Sequence, residues 1–220
     1  MVRPRRGTLR GSPLPGPRRG PAGTARPLAA DDVADLAPCG LRCPLAAVGA
    51  TALRAAVLDG SVTGHVLCET DPDGAESRLV GAILLLAPEL AATGAWTPGG
   101  VSPDALAVLA LRRPDVRPVA AGRQLVRAAA ADLLRAPDGG TRVRALEGWA
   151  SGSDPCRPAV ADWAETGFSV HRAHPAHPRV RLDLGALATW RAEARGAWGR
   201  LSAPAGRRAG RARPAAGEAT

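Results

Sequence analysis

The chain has 220 residues, a net charge of +9 and an isoelectric point near 11.2, a balance that ordinarily points to nucleic acid. Every basic residue is Arg, Lys, Asn and Tyr are absent, and the excess sits at the ends. Residues 1–28 hold 7 Arg and no acid, and residues 204–220 hold 4 Arg and 1 Glu, which leaves 18 Arg against 19 acids between 29 and 203. This pattern reads as GC-rich coding bias carried by two tails, so nucleic acid is not expected as a partner.

Residues 1–28 mix Pro, Gly and Arg with little to bury, so ordering them costs more entropy than contacts return. They and residues 204–220 are expected to be disordered tails around one folded domain over residues 29–203. The longest apolar run, Val80 to Ala87, falls far short of the roughly 20 residues a spanning helix needs. The basic N-terminus lacks an apolar h-region, and four Cys in a chain this long make no disulfide framework. A cytoplasmic protein without membrane contact is expected.

In chain order, Asp31 to Leu36 reads as a short helical stretch broken by Pro38. Pro44 suits the first position of a helix that Leu45, Val48, Leu53 and Val57 carry to Asp59-Gly60. Val62 to Glu69 alternates as a strand, Asp71-Pro72-Asp73-Gly74 signals a turn, and Leu79 to Leu86 completes a hairpin. Residues 91–103 are a Gly/Pro loop. Ala105 to Leu111 is a continuous apolar run, as in a strand covered on both faces. Leu125, Ala129 and Leu133 share one face of a helix over Arg123 to Arg135. Val143 to Trp149 is the next strand, and Ala159 to Thr166 is a short helix with Gly167 at the left-handed C′ position. Phe168 to Arg172 and Val180 to Leu184 are strands, and Leu187 to Leu201 is a closing amphipathic helix. The predicted class is α/β: a single domain with a mixed, mostly antiparallel twisted sheet flanked by helices.

The junction after Ala105–Leu111 carries the functional signal. A strand runs into Pro114, then a small-residue loop from Arg117 to Gly122, then a helix. The first N–H groups of a helix have no internal partner and carry the positive end of its dipole, so an anion is stabilised there without a charged side chain. Arg117, Ala120 and Gly122 occupy the fixed positions of the pattern [Q/R]-x-x-G-x-[G/A], with Ala120 replacing the central Gly. With Ser102-Pro103-Asp104-Ala105, Glu147-Gly148-Trp149-Ala150, Gly167-Phe168 and the His174-to-Leu184 run, this order resembles a GNAT-type N-acetyltransferase of an actinobacterial kind, over roughly residues 36–201.

That resemblance implies acetyl-CoA as cosubstrate and an amine acceptor, small molecule or protein, that attacks the thioester directly. It places backbone at Leu111 and Arg112 on the pantetheine, and Val119, Ala120, Ala121, Gly122 and Arg123 on the pyrophosphate. A homodimer is left open. The family's usual acid, a Tyr four residues before the Gly of the Gly-Phe pair, falls on Trp163 here, and an indole N–H is too weak an acid to replace it. Ser151, Ser153, Cys156 or a water are the candidates for the acid, with no signal to choose among them; Glu147 is the candidate base, and a carboxylate paired with Arg142 or Arg144 is the alternative reading of it. The alternative function is a catalytically degenerate protein of this fold that binds acyl-CoA or a partner without turnover. The spacing of His171, His174 and His177 scatters their side chains, and Cys39, Cys43, Cys68 and Cys156 lack a second paired element, so no metal is expected.

Overall fold

The computed structural model describes residues 23–36, 44–70, 73, 77–93, 96–114, 118–135, 143–154 and 156–186. Its strands are β1 (Thr24–Pro27), β2 (Val62–Thr70), β3 (Ser77–Leu86), β4 (Ala105–Arg112), β5 (Ala145–Trp149), β6 (Ser169–Arg172) and β7 (Arg179–Asp183). Its helices are α1 (Val33–Leu36), α2 (Pro44–Val48), α3 (Ala50–Leu58), α4 (Pro88–Ala92), α5 (Pro118–Leu133) and α6 (Val160–Glu165). The strands form one sheet in the order β1-β2-β3-β4-β5-β7-β6. All neighbours are antiparallel except β4 and β5. The expected α/β architecture with a mostly antiparallel sheet is what the chain adopts.

The apolar runs form the middle of the sheet because both of its faces are covered. Leu84 and Leu86 pack with Val33, Leu36 and Leu53 on the face of α1 and α3, whereas Ile83 and Leu85 pack with Leu125, Val126 and Ala129 of α5 on the other. Each fully buried Leu or Ile side chain contributes about 1.5–3 kcal/mol relative to exposure, so β3, with Ile83 and Leu84 0% exposed, is the strand the core is built on. At Gly64, where φ is +152°, a Cβ would lie 2.0 Å from the Ile83 carbonyl oxygen, so no side chain fits where β2 presses onto β3.

Gly167 takes its left-handed role, at φ +102°. Its N–H bonds the Ala164 carbonyl at 3.0 Å, and the Phe168 N–H bonds the Trp163 carbonyl at 3.1 Å. The same two residues stack edge to face with ring centroids 4.6 Å apart. This is a Schellman motif with its hydrophobic contact, and it fixes how α6 turns into β6.

Several boundaries move. Thr24–Pro27 is a strand paired with Cys68 to His65 of β2, so the folded unit takes in residues assigned to the N-terminal tail. The Arg26 guanidinium grips the Asp32 carboxylate bidentately at 2.6 and 2.7 Å, and Asp32 also accepts the Ala29 N–H at 2.8 Å. Arg26 and the Ala29 N–H outweigh burial and hold the Asp32 carboxyl below its ordinary value. The single helix expected over 44–59 divides at Gly49, φ +81°. The loop expected from residue 91 is preceded by α4, which runs through Ala92. The helix expected from Arg123 begins at Pro118, because Pro is well placed at a first helical position, where no N–H is needed. The expected helix over 187–201 and both outer tails lie outside the described residues.

A chain starting at residue 23 should melt within a few degrees of the full protein. A chain starting at Ala29 loses β1 and the Arg26–Asp32 pair, and should melt several degrees lower, at roughly 2–4 °C for each kcal/mol lost. Thermal unfolding followed by circular dichroism compares the two.

Candidate functional site

β4 and β5 run parallel but pair only at Ala105, Leu106 and Ala107 with Ala145, Leu146 and Glu147. Beyond that point the strands part. One cause lies in β4, where Leu85 pairs with Val108 and Leu84 with Ala110, so Leu109 is the extra residue of a bulge that bends the strand. A second is Trp163 of α6, 1% exposed, whose ring lies over the break. A methyl built on Gly148 would meet that ring at 3.0 Å and the Val108 side chain at 3.6 Å. At the open end the Leu111 N–H donates to the Cys156 carbonyl at 2.8 Å, so the returning loop supplies the hydrogen bond that a neighbouring strand does not.

The N-terminus of α5 lies beside the carboxyl end of β4, against Arg113, and beside the end of α6. Gly122 is buried there, and a Cβ would approach Thr166 at 3.0 Å and Arg113 at 3.1 Å. Pro118 has no N–H, so Val119 and Ala120 carry the donors of the first turn that no helix carbonyl reaches. Ala120 is exposed, Val119 is half-buried and Ala121 is buried. Arg123 turns away to donate to the Glu165 carbonyl at 2.6 Å. The predicted residues Val119 to Arg123 are thus helix rather than loop, and Gly122 serves packing. Leu111 offers a backbone N–H already engaged by Cys156, and Arg112 pairs with Ala82 of β3 while its guanidinium donates to the Asp35 carbonyl at 3.2 Å.

Sequence reasoning passed over Arg113. Its Nη2 lies 2.8 Å from Asp162 of α6, its side chain is 14% exposed and lies against Gly122, and its Nη1 is buried without a protein partner. A cation held beside the positive end of a helix, with a donor to spare, favours an anion. The signal was present in the doubled Arg112-Arg113, but only the strand's register shows which of the two turns toward the helix.

Glu147 stands at the vertex of the opening and is fully buried. Its Oε2 accepts the Ser102 N–H at 3.0 Å and Arg179 Nη1 at 3.2 Å, and its Oε1 accepts Arg181 Nη1 at 2.9 Å. Arg181 also holds Asp104 through two bonds at 2.9 and 3.1 Å, and Asp183 at 2.9 Å. The partners are therefore on β7, across the antiparallel ladder that sets Glu147 opposite Arg181. Burial opposes the charge most strongly, but Ser102, Arg181 and Arg179 together outweigh it and keep the Glu147 carboxyl below its ordinary value of 4.5. Three sequence elements noted separately, around Ser102–Ala105, Glu147–Ala150 and Arg179–Asp183, meet in this one network.

No family model matches the chain, and no curated protein matches it significantly. Similar solved structures are N-acetyltransferases. The GNAT family N-acetyltransferase YhbS of Escherichia coli, in complex with CoA, is 15% identical, with a TM-score of 0.47 over 74% of this chain and 82% of that one. The PaiA N-acetyltransferase of Thermoplasma acidophilum, in complex with coenzyme A, is 11% identical, with a TM-score of 0.45 over 74% and 99%. The Campylobacter jejuni N-acetyltransferase PseH is 10% identical, with a TM-score of 0.42 over 74% and 99%. Likeness at this level names no site residue in this chain.

The remaining candidates are placed as follows. The Trp163 Nε1–H is buried without a protein partner. Ser151 Oγ lies 3.2 Å from Ser153 Oγ, and Cys156 is fully buried. His171 Nε2 lies 3.8 Å from Glu147 Oε1, and the His174 and His177 rings stack on each other 6.0 Å apart. Among the described residues no three His, Cys, Asp or Glu side chains gather as metal ligands. Cys39 and Cys43 lie outside them. No described helix is long and apolar enough to cross a membrane.

Two outcomes follow. Glu147→Gln leaves two guanidiniums without their buried counter-charge and should cost about 3–5 kcal/mol at pH 7. Because the folded value is depressed, Glu147's contribution is full above 4.5 and fades as pH falls through the lower folded value. Denaturant titrations at pH 7 and pH 3 should therefore show a smaller gap between the two proteins at pH 3. Gly148→Ala pushes a methyl into the Trp163 ring and should cost about 1–3 kcal/mol.

Proposed function

We propose that this chain is an acetyl-CoA-dependent N-acetyltransferase. The observation that carries the reading is the parting of β4 from β5 beneath the α5 N-terminus. In open α/β sheets, ligands bind outside the carboxyl ends of strands where neighbours diverge. Here that place offers what a nucleotide thioester requires: unpaired N–H groups and a cation for the pyrophosphate, and a strand edge for the extended arm.

In this scheme the N–H groups of Val119 and Ala120 and the Nη1 of Arg113 hold the pyrophosphate, with Gly122 allowing the helix to sit close to Arg113. The Leu111 N–H, now bonded to the Cys156 carbonyl, is the donor that a pantetheine amide carbonyl takes over, one carbonyl replacing another. Arg112 contributes backbone beside it. The acceptor amine attacks the thioester carbon, the C–N bond forms, the C–S bond breaks, and the thiolate leaves with the proton the nitrogen gives up. Glu147 is a poor base for that proton, since its charge is committed to Arg179 and Arg181. The Trp163 Nε1–H, buried and too weak an acid to transfer a proton, does not replace a phenol, so solvent carries the proton and turnover is slow. General acid–base help is typically worth about 10²–10⁴ in rate.

Calorimetry with CoA on the full chain tests the site. Ala120→Glu, at an exposed position in the first turn, should leave the melting temperature within a few degrees and weaken CoA at least about tenfold, by repelling the phosphates. Arg113→Met should weaken it similarly. Unchanged affinity in both would remove the site from this helix. If CoA binds but no member of a panel of primary amines releases free thiol from acetyl-CoA, the protein binds the cofactor without turnover.

A further inference from the structure

An amine enters acetyl transfer as an ammonium, and the reaction above leaves its first proton without a receiver in the protein. Alternation along β5 turns Leu146 and Gly148 toward α5 and Trp163, and Glu147 and Trp149 toward the face of α1 and α3. The first turns of α5 and the Glu147 carboxylate therefore lie on opposite faces of the sheet, with the parting of β4 and β5 between them. A thioester that reaches the break from the α5 side meets an amine on the other side, where the Glu147 network stands.

The acids of that network are spent. Glu147 is shared by Arg179, Arg181 and the Ser102 N–H, and Asp104 and Asp183 both accept from Arg181. Three of the four histidines are also committed. His65 is 6% exposed and lies 3.0 Å from Asp132 of α5. His174 Nδ1 accepts the Ala176 and His177 N–H groups, and His177 Nδ1 is buried. His171 differs from them. It is the extra residue of a bulge in β6, between the pairs Val170–Val180 and Arg172–Arg179, and a bulge re-aims a side chain. Its side chain is 43% exposed, and its Nε2 lies 3.8 Å from Glu147 Oε1. That separation is too long for a hydrogen bond but close enough for the carboxylate to orient the ring. A neutral imidazole facing a carboxylate carries its proton on the near nitrogen, which leaves the lone pair on Nδ1. Among the described residues nothing bonds that atom.

We propose that His171 is the base that takes the proton from the acceptor amine. This rests on the N-acetyltransferase reading and gives the proton a receiver that Glu147 does not provide. The ammonium passes one proton to His171 Nδ1, and the lone pair so freed attacks the thioester carbon. The C–N bond forms, the C–S bond breaks, and the electron pair leaves on sulfur. The second proton, shed as the amide forms, passes through solvent to the thiolate, and the imidazolium returns its own to the bulk.

Thiol release from acetyl-CoA by the full chain distinguishes a base from a residue that only lines the site, because amines differ in their need for one. Alkylamines such as benzylamine are ammonium ions at pH 7, whereas aniline is already neutral. With the alkylamine of a panel that reacts fastest, His171→Gln should lower kcat at least about tenfold, general acid–base help being worth roughly 10²–10⁴. The rate with aniline should change little. In His171→Ala, free imidazole should restore part of the lost rate. The melting temperature and CoA affinity of both variants should match the parent, since an exposed charge contact contributes little. An unchanged alkylamine rate, or an equal loss with both amines, overturns the proposal and leaves the enzyme standing. Should aniline not react even with the parent, failure of imidazole to rescue His171→Ala overturns it. If CoA binds and the parent acetylates no amine, the enzymatic reading falls and His171 has no proton to take.

Discussion

The ladder between β4 and β5 closes at Ala107 and Glu147 and goes no further, and each part of the candidate site is placed by that break. Short of it, the sheet is continuous and apolar side chains cover both faces. Past it, the Leu109 bulge turns β4 aside, Trp163 covers the gap on the α6 face, and the Cys156 carbonyl takes a strand hydrogen bond that β5 cannot supply. A backbone N–H left unpaired inside a protein is costly, so Cys156 is held against β4 by the need to satisfy Leu111. The same need makes the bond exchangeable: any amide carbonyl of equal reach serves Leu111 as well as Cys156 does.

Glu147 closes the other side of the break. A buried carboxylate with a single partner is a liability, because desolvation of the charge outweighs one Coulombic contact. Here Arg179, Arg181 and the Ser102 N–H share it, and Arg181 passes the charge on to Asp104 and Asp183. Arg179 also donates to the Gly100 carbonyl at 2.8 Å. The loop ahead of β4 is thereby tied to β7 across β5. A carboxylate so engaged fixes geometry at the vertex.

Local signals placed the elements whose neighbours are local. The apolar run of β4, the period of α5 and the Gly167-Phe168 stop of α6 each follow from a few adjacent residues, and all are present. β1 was hidden because Thr24–Pro27 is short and largely exposed at a sheet edge, with neither alternation nor apolar mass to mark it. The start of α5 is legible in Pro118, whose preference for the first helical position prevails over the loop-like run of small residues after it. Glu147's partners and the role of Arg113 were not legible, since they depend on the β5–β7 register and on α6 folding back over α5. His65 and Asp132, 67 positions apart in the chain, meet only because β2 and α5 pack face to face.

Hydrogen exchange of the full chain with and without CoA tests the central claim most directly. A ligand lodged at the break should slow exchange at the Val119 and Ala120 amides, which have no partner within the helix, and should leave β1, α3 and the C-terminal half of α5 unchanged. Protection confined to other segments, or none at saturating CoA, would contradict the account.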